Sequence, residues 1–149
     1  MTLKGRTTKY GGDELSPWLE MILRFLLAAA LGAGIGYQRE RAGKAAGLRT
    51  HILVSSGAAL FTLASLFGFD GATVDISRVA AGVVVGIGFI GAGVILRGQR
   101  EKEVAGLTTA ATIWITAAVG LAAGTGMYLI SVIATAVIVG VLFLPKVHG

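Results

Sequence analysis

Residues Gly82–Gly98 read GVVVGIGFIGAGVILRG, and the reading of this stretch decides the fold. It holds six glycines, and the 18 residues from Val79 to Leu96 carry no charge. Gly86, Gly88 and Gly91 fit GxGxxG after a short valine run, the pattern of a dinucleotide-binding turn. In such a turn the following helix has a solvated face, and an acidic residue follows about 20 positions on. Neither feature is present here. An uncharged run of about 18 residues is the length of a membrane span. As a membrane helix, Gly82, Gly86 and Gly93 fall on one face, with Gly88 and Gly91 on roughly the opposite one. Small residues four apart let backbones approach closely in lipid. Two such faces predict neighbours on both sides, and so a place in the middle of a bundle. Packing is the simpler role for these glycines, with a gating hinge as the alternative.

Composition extends this reading to the whole chain. Of 149 residues, 54% are hydrophobic and 14% charged, with a mean hydropathy of +0.78. A soluble domain carries about 25% charged residues. The apolar runs do not alternate with polar residues, so a β-barrel is not expected. The predicted class is an all-α membrane protein, a bundle of five transmembrane helices. There is no cysteine, which removes disulfides and thiolate chemistry. The net charge of +5 reports topology and lipid headgroup contact, not nucleic acid.

Residues 1–15 read as a polar N-terminal tail and residues 16–149 as the transmembrane domain. Ser16 and Pro17 suit the N-cap and first helical position, and Trp18 suits an interface. The spans fall at about 17–37, 52–69, 79–96, 107–123 and 128–144. The first contains Glu20 and Arg24, four apart with the acid first. Near a helix end Arg24 reads as an anchor that snorkels to the interface. The acidic region before this span is unlike the start of a cleaved leader, so it reads as a retained span. Gly124-Thr125-Gly126 supplies the last turn. Placing the first and third loops inside puts eight Lys and Arg on the cytosolic side against four outside. The N-terminus is then expected outside and the C-terminus in the cytosol.

Two segments are candidates for function. In the first loop Glu40, Lys44, Arg49, Thr50 and His51 form a polar group before the second span. A permanent cation, a capping hydroxyl and a titratable imidazole together suit a phosphate, a headgroup or a carboxylate. An ordinary basic juxtamembrane loop explains the same residues. In the fourth span Thr108, Thr109, Thr112 and Thr116 form a polar stripe, read as glue between helices or as the lining of a wet path. No acid lies deep in a span, and Mg²⁺ sites ordinarily use one or two carboxylates. No metal site, cofactor or catalytic set is expected, and the chain does not read as an enzyme.

Four motifs in order carry a resemblance. They are Arg39-Glu40-Arg41 with Lys44; Gly47-Leu48-Arg49-Thr50-His51; the glycine helix from Gly86 to Ile95; and Gly106-Leu107-Thr108-Thr109 running on to Trp114. With these the chain resembles the MgtC/SapB family of bacterial inner-membrane proteins. The resemblance implies five spans with a cytosolic C-terminus. It also implies adaptation to low magnesium, virulence association, and modulation of another membrane complex such as the F-type ATP synthase. Founding members continue into a soluble domain, so a chain stopping at Gly149 is expected to follow the short, SapB-like form. Two functions are therefore expected: a non-enzymatic regulator that docks on another membrane complex, or a small transporter or channel for an ion or polar solute. A homodimer through one glycine face is expected in either case.

Overall fold

The computed structural model describes residues 16–69, 75, 77–98 and 106–145. The N-terminal tail, Asp70, the third-loop residues Arg100, Glu101, Lys102 and Glu103, and Lys146 and His148 lie outside the described residues. Five α-helices follow one another: α1 Pro17–Arg41, α2 Leu48–Phe67, α3 Ser77–Gly98, α4 Leu107–Gly124 and α5 Tyr128–Leu142. The first four are long and apolar enough to cross a membrane; α5 has 15 residues. At about 1.5 Å per residue α5 is shorter than a 30 Å hydrocarbon core, though Phe143 and Leu144 extend its apolar run. The outer surface is apolar, with Leu53, Phe89 and Leu129 among its most exposed side chains. In water such a surface would drive aggregation; in lipid it is the solvated face.

The helices run alternately up and down. Arg24 reaches Gly124 at one end, while Arg39 reaches Thr109 at the other, so α1 and α4 are antiparallel. Gln38 Nε2 donates to the Leu142 carbonyl at 3.2 Å, which sets the C-terminal ends of α1 and α5 side by side. The central element is α4, which touches every other helix. Helices α1, α2 and α4 form the tight part of the bundle. The inward stripe of α1 is Arg24, Ala28, Gly32, Ile35, Gly36 and Arg39, small residues bracketed by two arginines. A Cβ on Gly32 would lie 2.5 Å from the His51 carbonyl, and one on Gly36 2.8 Å from Leu48 Cα. The backbones of α1 and α2 therefore meet directly, as small-residue helix pairs do in lipid. On α4, Gly120 and Gly124 do the same against Ser55, Ala59 and Thr62 of α2.

The glycine helix α3 is not the middle of the bundle, contrary to the sequence expectation. It packs against α4 and lightly against α2. Of its side chains Ile87 turns inward, while Phe89 is 85% exposed. Among the described residues nothing lies within 4 Å of a Cβ at Gly82, Gly86, Gly88 or Gly93, and of the five only Gly91 faces a neighbour, Ala110, at 3.6 Å. The close contacts that glycine was expected to make on α3 are made by glycines of α1 and α4 instead.

The first two helices reach further into the first loop than the sequence predicts, α1 to Arg41 and α2 from Leu48, and two helix starts differ in cause. Pro17 starts α1 after Ser16, but the serine hydroxyl makes no capping bond. Thr50 does not cap α2: the N-cap is Gly47, and the carboxylate of Glu40 accepts from the Leu48 N–H at 2.7 Å. The turn after α4 has Gly126 at φ +86°, a left-handed conformation that favours glycine. Before α3, Asp75 Oδ1 accepts from the Ser77 amide and hydroxyl. Those bonds hold its carboxyl below the usual carboxylate range.

Candidate functional site

Polar side chains are buried at both ends of the α1–α2–α4 core. At the end where α4 turns into α5, Arg24 is 6% exposed. Its Nη2 meets the Glu20 carboxylate. Its Nη1 donates to the Gly124 carbonyl at 3.0 Å and its Nε to the Tyr128 hydroxyl at 3.2 Å. The guanidinium also lies 5.9 Å from the ring centroids of Phe67 and Tyr128. Arg24 is thus a lock between α1 and the α4–α5 turn, not the snorkelling anchor expected from sequence. Gly126 makes room for it, because a Cβ there would lie 3.0 Å from Nη2.

The opposite end gathers Arg39, His51 and Thr109. Arg39 is 4% exposed and donates from Nη2 to Thr109 Oγ1 at 2.6 Å. Its charge acts on the His51 ring. His51 is fully buried, with Nδ1 2.8 Å from the Gly47 carbonyl. A carbonyl only accepts, so Nδ1 carries the hydrogen there. Ser55 follows one turn deeper on the same face of α2. Among the described residues no group of three or more His, Asp or Glu sits close enough to hold a metal ion.

The first-loop candidates are divided by the structure. His51 is buried, whereas Lys44 and Arg49 are exposed and Thr50 is half-buried. Glu40 is exposed and works at the start of α2. That placement needs Gly47, since a Cβ there would lie 2.6 Å from the Glu40 carboxylate. On α4 the buried threonines are Thr109, Thr112 and Thr116, while Thr108 faces outward. Thr109 is 60° from Thr112 on a helical wheel and closes the stripe that Thr108 was expected to begin. Thr112 and Thr116 bond the carbonyls of Thr108 and Thr112, at 2.6 and 2.7 Å. Their hydroxyls are satisfied within α4, as buried helical threonines often are.

The residue that sequence reasoning passed over is Arg39. It was counted as a loop charge because the first span was expected to end near Tyr37; α1 runs on to Arg41 and carries it inward.

The MgtC family model matches residues 25–148, which covers all five helices but the first turns of α1. The chain belongs to the MgtC family. Among curated relatives it is 51% identical over 115 residues to "Putative magnesium transporter YhiD" of Escherichia coli K12, covering 73% of this chain and 53% of that protein. It is 44% identical over 128 residues to protein SrpB of Synechococcus elongatus, covering 79% of this chain and 70% of that one. It is 44% identical over 117 residues to protein MgtC of Salmonella typhimurium, covering 78% and 48%. The chain thus spans about half the length of YhiD and MgtC. No solved structure matches it. As an MgtC-family chain with four long apolar helices, it is a multi-pass membrane protein.

Proposed function

We propose that this MgtC-family chain is a non-enzymatic regulatory membrane protein of magnesium adaptation, acting by docking on another helix in the membrane. The single observation that carries this reading is the open face of α3. Gly82, Gly86 and Gly93 lie along one side of that helix with none of the described residues against them. In lipid, association relies on close packing, and a smooth glycine face permits it. A second copy of the chain fits first, because two-fold pairs are the commonest oligomers and use one patch on both partners. A helix of a larger complex, such as the F-type ATP synthase that the family resemblance implies, uses the same face. Gly93→Leu tests this. A Cβ at position 93 meets none of the described residues within 4 Å, so the variant should remain folded with wild-type membrane abundance. It should run as a monomer in native mass spectrometry from mild detergent, where the wild type runs as a dimer. A variant that still dimerises, or a wild type that is strictly monomeric, removes the second copy from this face.

The orientation is part of the same proposal. The exposed Lys44 and Arg49 lie on the cytosolic rim, within reach of headgroups or a partner's acids, and the N-terminus is outside. Introduced cysteines at positions 44 and 75 should label only from the cytosol and only from the periplasm, respectively. The reverse pattern would invert the topology.

The transporter reading has its own support in the buried polar side chains between α1, α2 and α4 and in the printed name of YhiD. It requires a path through those side chains. The hydroxyls of Ser56, Thr62, Thr112 and Thr116 are bonded to carbonyls of their own helices, which favours the regulatory reading.

A further inference from the structure

At the Arg24 end of the bundle, α2, α3 and α4 leave a cleft between them. It has a volume of about 490 Å³, and Thr62, Ser77, Ala80, Leu121, Ala122 and Thr125 are among the residues that line it. It exists because α2 touches α3 only lightly and because two of its walls carry alanines. The walls are almost wholly apolar. Thr62 and Thr125 turn their hydroxyls back to the carbonyls of Ala58 and Ala122. Ser77 is the first residue of α3 and Thr125 follows the last of α4, so the mouth is level with the helix ends. Thr62 stands more than a turn before Phe67, the end of α2, so the cleft runs inward from that level. Opposite charges flank the mouth. Asp75 accepts from the Ser77 hydroxyl at 2.6 Å, Arg78 is the next residue of α3, and both are exposed.

We propose that this cleft is a phospholipid site: one acyl chain lies between α2, α3 and α4, and a zwitterionic headgroup meets Arg78 with its phosphate and Asp75 with its amine. Water is the wrong filling. The volume would take on the order of ten waters, each needing two to four polar partners, and the walls do not supply them. An empty cleft would forfeit dispersion contacts along every wall. A partner helix is too thick, since a cylinder about 10 Å across would fit for roughly one turn. An acyl chain is thin, apolar and already abundant on all sides of the protein. The guanidinium of Arg78 matches two oxygens of a phosphate. The carboxylate of Asp75 attracts an ammonium and repels a second anion, which favours an amine-bearing headgroup over an acidic one. Ser77 and Ala80 lie roughly opposite Gly82, Gly86 and Gly93 on α3, so this inference does not rest on the docking face.

The test uses the full chain, delipidated in mild detergent and titrated with phosphatidylethanolamine or chain-matched phosphatidylglycerol, with binding read by native mass spectrometry. The wild type should bind one phosphatidylethanolamine per chain saturably, about two- to fivefold tighter than phosphatidylglycerol, the weight of one exposed ion contact. Ala122→Phe fills the cleft from α4 and should lose about tenfold or more of that affinity, because the ring takes the contacts of the chain. Ala80→Phe fills it from α3 and should do the same. Without lipid, either variant should melt at or above the wild-type midpoint, since a void has been filled; a lower midpoint in both would show that the walls are already packed and would count against the cleft. Arg78→Gln, an exposed substitution that leaves the walls intact, should lose about two- to fivefold, whereas Arg41→Gln at the opposite end should stay within about twofold. The proposal fails if the wild type binds no phospholipid saturably, in which case the chain or a protein partner covers the cleft. It fails equally if both phenylalanine variants keep wild-type affinity, or if phosphatidylglycerol binds as tightly as phosphatidylethanolamine and Arg78→Gln changes neither.

Discussion

Arg24→Met should be the most damaging single change in this protein, lowering stability by about 2–3 kcal/mol, since it removes a partly buried ion pair together with two further hydrogen bonds from a charged group. The methionine fills similar volume, so the loss is electrostatic and not a cavity. It leaves the Glu20 carboxylate without its cation, and the Gly124 carbonyl and Tyr128 hydroxyl without a donor. The aromatic contacts with Phe67 and Tyr128 also go. Thermal unfolding in mild detergent, read by intrinsic fluorescence, measures the effect. Arg24→Lys should recover part of it, because an ammonium reaches one partner where the planar fork reaches three. A wild-type melting midpoint in Arg24→Met would show that the cluster is an incidental surface contact.

Gly120→Ala should be nearly as severe, for a steric reason. A Cβ at position 120 would collide with the backbone carbonyl of Ser55, with Ser55 Cα and C at 2.9 Å. The obstacle is backbone, so no side chain can rotate away, and α2 and α4 must separate. Overpacking a core commonly costs about 1–3 kcal/mol, and this site belongs at or above the upper end. Gly86→Ala is the matched control. Its Cβ meets none of the described residues, and removing a helical glycine gains up to about 1 kcal/mol of propensity. The pair separates two classes of glycine that look alike in the sequence. Equal melting points for Gly120→Ala and Gly86→Ala would contradict the packing described for α2 and α4.

That likeness explains what could be read from the sequence and what could not. Apolar length and the gaps between charged runs locate all five helices, and the Gly124–Gly126 turn is placed by its glycines. Which helix is central is a property of pairs, and a single helix shows only its own faces. Ala28, Gly32 and Gly36 of α1 carry the same four-residue spacing as Gly82 and Gly86 of α3, yet they are the ones pressed against α2. The difference lies in α2, whose Ser55, Ala59 and Thr62 give a surface small enough to receive two helices at once. Arg39 and Arg24 were legible as charges, but not as buried ones, since burial depends on where the last turn of α1 falls and on what Thr109 and Tyr128 offer from 70 and 104 residues away. The first-loop candidates show the same limit. Arg49 and His51 are two apart in sequence and so project to different sides of α2, one exposed and one buried.

The central claim is that this MgtC-family chain regulates by docking and does not carry solute. Ion flux into proteoliposomes of the pure protein tests it most directly. Vesicles loaded with a magnesium-sensitive dye and given an inward Mg²⁺ gradient should show no uptake above that of protein-free vesicles, with the wild type and Gly93→Leu alike. Saturable Mg²⁺ uptake that scales with the amount of reconstituted protein would contradict the claim and establish the transporter reading in its place.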